Sequence, residues 1–467
     1  MFEIPMMKKY IVLFFSLLSL FSQAQNLSCP SVFTEQQKSN LKAFQQQLEN
    51  GQVNLGKKAM QYVPIKVHIV GNEKGVGYYP VSFLMQTLCE LNERFIPTGF
   101  HFYLESEIDY INDVELYIGD NNAIWEKSEA YKSSTAVNLF FHGISDVWCG
   151  VYFGGVDVVY IRNSCQGPNA TTLSHELGHF FGLMHTFYGW EGGNTPTEIE
   201  KIDGTNCRSA GDGFCDTKPD YVGERWNCPL GKNLVDPNNV VFKPDSSLYM
   251  NYALDACHKR FSNEQMLAMQ NNLSSRGIAK TSADISNLPP PQKLYPVPGD
   301  TSVNADYVEL SWKAVPGAFA YHVEIARFGD WNYLNYDQLI FDTAVVVDLF
   351  GHWPYAWRVK AITAANTCSS FGAVDTFTTR ELPAGITQVY KTNEAFLYPN
   401  PVSLGQKVYF KTNGETEVHV YSSMGKLVAK LEANFQSEIS IDLPVAGMYF
   451  VVFKNAQGSL TKRLVVQ

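Results

Sequence analysis

The run His175-Glu176-Leu177-Gly178-His179-Phe180-Phe181-Gly182-Leu183-Met184-His185 places three imidazoles and one carboxylate at fixed spacing. Read as a helix, it sets His175 and His179 four residues apart on one face, where both can hold the same metal ion. Glu176 projects beside them, within reach of a metal-bound water without being a ligand itself. Gly182 can end the helix in a left-handed turn and send the chain back, so that His185 approaches the metal from another direction. Three neutral imidazoles leave one position free on a tetrahedral zinc ion, as catalytic sites do and closed structural sites do not.

These motifs resemble the metzincin zinc proteases, and within them the pappalysin family. Thr186 and Phe187 follow the third histidine, as in that family. Gly211-Asp212-Gly213-Phe214-Cys215-Asp216-Thr217 is similar to its Gly-Asp…Asp-Thr-Pro loop, with Lys218 intervening before Pro219. Tyr249-Met250-Asn251-Tyr252, followed by Asp255, Cys257 and Phe261, resembles its Met-turn. The resemblance implies Met250 as an apolar floor beneath the histidines and Tyr252 as a hydrogen-bond donor to the developing oxyanion. It spans roughly residues 61–280.

At 467 residues the chain exceeds one ordinary core, so several domains are expected. Charged residues make up 18% and the net charge is −10, which excludes a basic nucleic-acid footprint. Lys8-Lys9 precede an apolar run from Ile11 to Phe21, and Ser22-Gln23-Ala24 places small residues where a signal peptide is cleaved. Residues 1–24 therefore read as a signal peptide, and no other segment is apolar enough to span a membrane. Export makes the nine cysteines readable as disulfides. Cys207, Cys215, Cys228 and Cys257 allow three pairings; the family resemblance favours Cys207–Cys228 and Cys215–Cys257. Cys149 and Cys165 flank a strand pair and can join. Cys29 is a candidate latency ligand, a thiolate in place of water on the zinc, or else a disulfide partner.

Residues 25–60 are polar and Gln-rich, with a helical stretch over Glu35–Glu49, and read as a propeptide or N-terminal extension. The catalytic domain is expected over 61–280: a strand at Val63–Val70, a helix near Pro80–Phe95, strands near Phe100–Leu104 and Ala136–Phe141, and Gly155–Arg162 as the strand lining the substrate cleft. Leu288-Pro289-Pro290-Pro291 forms a semi-rigid spacer. Beyond it the apolar period becomes two. Residues 289–381 resemble a fibronectin type III sandwich with Trp312 and Trp357 on the inward alternation. Residues 393–467, with Tyr398-Pro399-Asn400-Pro401, Gly447-Met448-Tyr449 and Ser423-Met424-Gly425-Lys426, resemble the C-terminal sorting domain of Bacteroidetes type 9 secretion.

The fold expected is an α/β metzincin-like domain, a mixed sheet plus an active-site helix, followed by two all-β sandwiches. The function expected is a secreted zinc metalloendopeptidase with Glu176 as general base. Its partners are extended protein or peptide substrates and the type 9 secretion machinery, and the chain is expected to be a monomer. Calcium is a candidate second ion in the loop carrying Asp203, Asp212 and Asp216. The competing class is a surface-binding or adhesin protein whose zinc domain is catalytically inactive.

Overall fold

The apolar run around Val63 forms strand β1 (Gln61–Gly71), buried almost throughout from Val63 onward. Continuous burial marks a strand covered on both faces rather than a half-exposed one. The computed structural model describes residues 31, 33–53, 59–144, 148–229, 234–380 and, with short gaps, 395–466. Residues 1–24, Cys29 and the turn 423–426 lie outside the described residues.

Helix α1 (Glu35–Glu49) precedes β1 and carries a capping box made by Thr34 and Gln37. After β1 come α2 (Val81–Phe95), β2 (Phe100–Leu104), β3 (Asp109–Asn112), the short helices α3 (Val114–Tyr117) and α4 (Asn121–Lys127), β4 (Val137–His142), β5 (Gly150–Phe153) and β6 (Val158–Arg162). They build one sheet of order β2-β1-β4-β6-β5, with β3 also pairing β1. All neighbours run parallel except β5, which turns back antiparallel to β6 at the edge. This corrects the expected cleft strand. Residues 155–162 were expected to line the cleft, but β6 lies inside the sheet and bonds neighbours on both sides. The edge belongs to β5.

The active-site helix α5 (Thr172–Phe180) packs on this sheet, and Gly182 follows at φ 92°. A long loop region with the small pair β7 (Leu234–Val235) and β8 (Val241–Phe242) leads to α6 (Asn263–Arg276). Ser262 and Gln265 box the start of α6, and left-handed Gly277 ends it. Leu84 and Leu88 of α2, Leu177 of α5 and Met269 of α6 bury one face of the sheet. Phe140, Trp148 and Tyr160 fill the other face.

A first sandwich follows. Its strands are β9 (Lys293–Tyr295), β10 (Asp300–Asn304), β11 (Val308–Trp312), β12 (Ala320–Arg327), β13 (Leu334–Ile340), β14 (Ala344–Val347), β15 (Pro354–Ile362) and β16 (Asp375–Arg380). Sheets β10-β16-β15-β12-β13 and β14-β11-β9 close over Trp312, Val323 and Trp357. The two tryptophans are core residues, as their alternation predicts. The second sandwich contains β17 (Ala395–Tyr398), β18 (Lys407–Thr412), β19 (Thr416–Ser422), β20 (Leu427–Ala433), β21 (Ile439–Asp442), β22 (Gly447–Asn455) and β23 (Gly458–Val466). They pair as β17-β18-β21 and β20-β19-β22-β23, with Val418, Tyr449 and Val451 in the core. Asn400 ties the opening of this unit to β23 by accepting from Val465 N–H and donating to Arg463 O. The chain is thus an α/β unit followed by two all-β sandwiches. Among the described residues no helix is long and apolar enough to cross a membrane.

The first sandwich is bolted to α2. The disulfide Cys89–Cys368 joins them across 279 residues. Asp337 of β13 accepts both the N–H and the hydroxyl of Ser82, at 2.9 and 2.8 Å, and so caps the helix start. Leu104 N–H donates to Ala364 O, and Thr367 donates to Met85 O.

Candidate metal centre

The three histidines meet at one point. The Nε2 atoms of His175 and His185 each lie 3.1 Å from Nε2 of His179. All three Nδ1 atoms have acceptors on the far side: Tyr249 O at 2.7 Å for His175, Leu183 O at 2.8 Å for His179, and Glu191 Oε1 at 3.0 Å for His185. Each Nδ1 therefore carries the proton and each Nε2 presents a lone pair to the common point. Burial drives His175 down to about 4 and holds His179 and His185 well below the ordinary imidazole value, so the rings are neutral. Three lone pairs facing one another repel unless a cation lies between them. Two ligands on a tetrahedral ion held at about 2 Å stand about 3.3 Å apart, so this donor set fits zinc.

Several close approaches shape the surroundings. A Cβ on Gly178 would collide with Met250 Sδ, which places the Met-turn directly beneath α5. Thr186 N–H donates to Met250 O at 3.0 Å. Glu176 is buried, and its side chain lies against Gly150 of β5: a Cβ there would stand 2.6 Å from Glu176 Cγ. The ring of Tyr252 packs 5.0 Å from that of His185 and 4.6 Å from Phe187.

The disulfides differ from the expected pairs. Cys207 bonds Cys215, and Cys228 bonds Cys257. The reason is local folding. The loop turns back through left-handed Gly211 and Gly213, bringing the Cα atoms of Cys207 and Cys215 within 5.1 Å. Cys228 follows Trp226, whose N–H bonds Tyr252 O and whose carbonyl accepts from Leu254, so its neighbour is Cys257. The second bond braces the segment behind Tyr252. Cys149 and Cys165 do join, linking β5 to the turn after β6.

Ser31, Phe33 and Gln37, ahead of β1, lie against Glu176, His179 and Tyr152. Ser31 Oγ donates to Glu176 Oε2 at 3.2 Å and accepts from Tyr152 N–H of β5 at 3.1 Å. Phe33 packs edge-on against His179 at 5.5 Å, and Gln37 bonds the Tyr152 hydroxyl.

The acidic loop rearranges the calcium candidates. Asp203 sits in an exposed turn with Thr205, and Asp216 caps α6 through Ser262 and Glu264 N–H. Asp212 is buried, and two residues not singled out from the sequence, Glu200 and Asp220, are buried near it. Burial and the charges of Asp212 and Asp220 push Glu200 up to about 9, and burial raises Asp212 to about 7. Glu200 Oε1 has no hydrogen-bond partner among the described residues. Glu191, the acceptor for His185, was also not read from the sequence; its only signal was a carboxylate six residues past a ligand.

Comparison with known proteins agrees with this geometry. Residues 109–274 match the peptidase family described as Pregnancy-associated plasma protein-A, and residues 396–467 match the secretion system C-terminal sorting domain. An extracellular metalloprotease of Colletotrichum graminicola is 30% identical over 227 residues, covering 44% of this chain and 74% of the relative. A promirolysin variant of Tannerella forsythia is 18% identical, covering 52% of this chain and 91% of its own, with a TM-score of 0.37. A fibronectin type III domain of human contactin 1 is 13% identical and covers 22% of this chain and 90% of its own, with a TM-score of 0.18. Site and relatives define a metalloprotease that is secreted or held at the cell surface. The chain belongs to the pappalysin family of metzincins and carries a type 9 secretion sorting domain at residues 396–467.

Proposed function

We propose that this chain is a zinc metalloendopeptidase acting on extended polypeptides outside the cell. The observation that carries the reading is the convergence of three Nε2 lone pairs beside Glu176. His175, His179 and His185 would hold a zinc ion, which when bound would supply Lewis acidity towards a carbonyl oxygen and a water. Glu176 removes the proton from the attacking water and returns it to the leaving amine. Tyr252 donates a hydrogen bond to the oxygen on which charge develops. Strand β5 pairs the substrate backbone through its outer edge, the edge that Ser31 meets at Tyr152 N–H. Residues 31–49 therefore act as an inhibitory segment, with the Ser31 hydroxyl on the base itself. Cys29 is proposed to reinforce this latency.

Calcium belongs to the same reading as a structural ion near Glu200 and Asp212. Their oxygen-rich, charge-repelling surroundings suit a hard cation by donor type. The reading is tested by casein digestion with processed protein, with and without a chelator. Cleavage abolished by chelation and restored by zinc is expected. Zinc-loaded protein that cleaves no member of a peptide library would replace this reading with the inactive surface-binding one.

A further inference from the structure

Two residues beyond Ser31, the chain seats an aromatic ring beside the three histidines. Phe33 is partly buried, edge-on to the His179 ring at 5.5 Å and 72°. It is also edge-on to Tyr152 of β5, at 6.0 Å and 61°. Tyr152 in turn meets Phe180 of α5 edge-on at 5.7 Å. Edge-to-face contact at such separations is what aromatic rings favour beyond the area they bury.

The walls of this seat do not depend on the segment that fills it. Tyr152 pairs with Val159 of β6, and its hydroxyl donates to Asp157 at 2.7 Å. The same hydroxyl accepts from Gln37 at 2.6 Å and from Arg276 at 3.3 Å. Arg276 lies 3.8 Å over the Phe180 ring and donates to both oxygens of Asp157. Of these groups only Gln37 belongs to residues 31–49. Removing that segment leaves Tyr152 held by Asp157 and Arg276 and uncovers its ring beside His179. The two charges behind the seat are paired with each other, so they offer no counter-charge to a charged side chain entering it.

A polypeptide laid along the outer edge of β5 reaches Tyr152 N–H, where Ser31 Oγ now accepts at 3.1 Å. A side chain projecting from that point meets the rings that Phe33 meets. We propose that the seat of Phe33 is a substrate subsite next to the metal centre, and that it takes a neutral aromatic side chain. The substrate role rests on the protease reading, with β5 as the substrate strand; the binding of an aromatic side chain does not.

Two readouts test it, the first independent of catalysis. The protein is folded as the full chain, and residues through Glu49 are then cut off and separated. A fluorescein-labelled peptide of residues 31–49 is titrated back and followed by anisotropy. Saturable binding is expected, weakened about tenfold or more by Phe33→Ala or Phe33→Glu and largely kept by Phe33→Tyr. In the second readout, quenched-fluorescent peptides carry Phe, Leu, Ala, Glu or Lys at each position around the cleaved bond. One position should favour Phe over Ala about tenfold in kcat/KM and disfavour Glu and Lys. Tyr152→Leu should shrink that preference and leave the ranking at the other positions unchanged. The best Phe peptide should displace the labelled segment about tenfold more effectively than its Ala counterpart. Unsaturable binding, binding indifferent to Phe33, no aromatic preference at any position, or a preference that Tyr152→Leu leaves intact would overturn the proposal. If no peptide is cleaved, the protease reading fails and the displacement titration decides the seat: equal displacement by the Phe and Ala peptides would then refute it.

Discussion

Glu191 has no place in any sequence motif, yet its carboxylate meets the outer nitrogen of a candidate ligand, which makes its removal informative. Its Oε1 lies 3.0 Å from Nδ1 of His185, while Oε2 accepts Gly189 N–H at 2.7 Å, so the carboxylate is held at both ends. A hydrogen bond to a charged acceptor is worth about 1.5–3 kcal/mol when shielded. The Glu191 side chain is 36% exposed, which brings the figure down to about 1–2 kcal/mol. At about 1.4 kcal/mol per factor of ten, Glu191→Ala should weaken metal binding about five- to thirtyfold. That range overlaps the usual cost of losing a partner behind a ligating histidine, about 10–100-fold. Glu191→Gln keeps an acceptor oxygen but not the charge, and should lose about half that energy. The assay is a zinc titration against a competing chromophoric chelator. Wild-type affinity in Glu191→Ala would mean that the backbone alone orients His185, and the reasoning would fail.

Three further outcomes follow from the same structure. His142 is buried and burial lowers it to about 4, so the folded state resists its protonation. That penalty is fully present below about pH 4 and disappears as pH rises through about 6.5, reaching at most about 3 kcal/mol. His142→Phe should therefore lower the acid-unfolding midpoint followed by tryptophan fluorescence; an unchanged or raised midpoint would count against it. Removing residues through Glu49 uncovers Glu176 and β5 and should raise peptidase activity at least about tenfold, whereas equal activity before and after would refute the inhibitory role. Added calcium should raise the Tm of the metal-depleted protein by several degrees, and Glu200→Gln should abolish much of the shift; a calcium-independent melt would remove the proposed ion.

The meeting of the three histidines beside Glu176 was legible because it is encoded locally: four side chains within eleven residues, spaced by helix geometry and one left-handed glycine. The central strand, the helix after it and both sandwiches were legible for the same kind of reason, since periodicity is a short-range signal. What escaped was set by long-range contact. Strand β5 has only four residues, and nothing in Gly150–Phe153 says that it, rather than β6, takes the sheet edge. The disulfide partners depended on how a glycine-rich loop doubled back, which spacing does not fix. The Cys89–Cys368 bond and the Asp337 cap join positions more than 250 residues apart. Glu200 and Asp220 look like ordinary solvated acids until the fold buries them beside Asp212.

The most direct test of the central claim is hydrolysis of a casein peptide by processed Glu176→Gln protein with zinc content matched to wild type. The substitution leaves all three imidazoles in place and removes only the carboxylate proposed as the base. The account predicts equal zinc binding and a loss of kcat of about 10²–10⁴-fold. A Glu176→Gln protein that binds zinc and cleaves at the wild-type rate would contradict it.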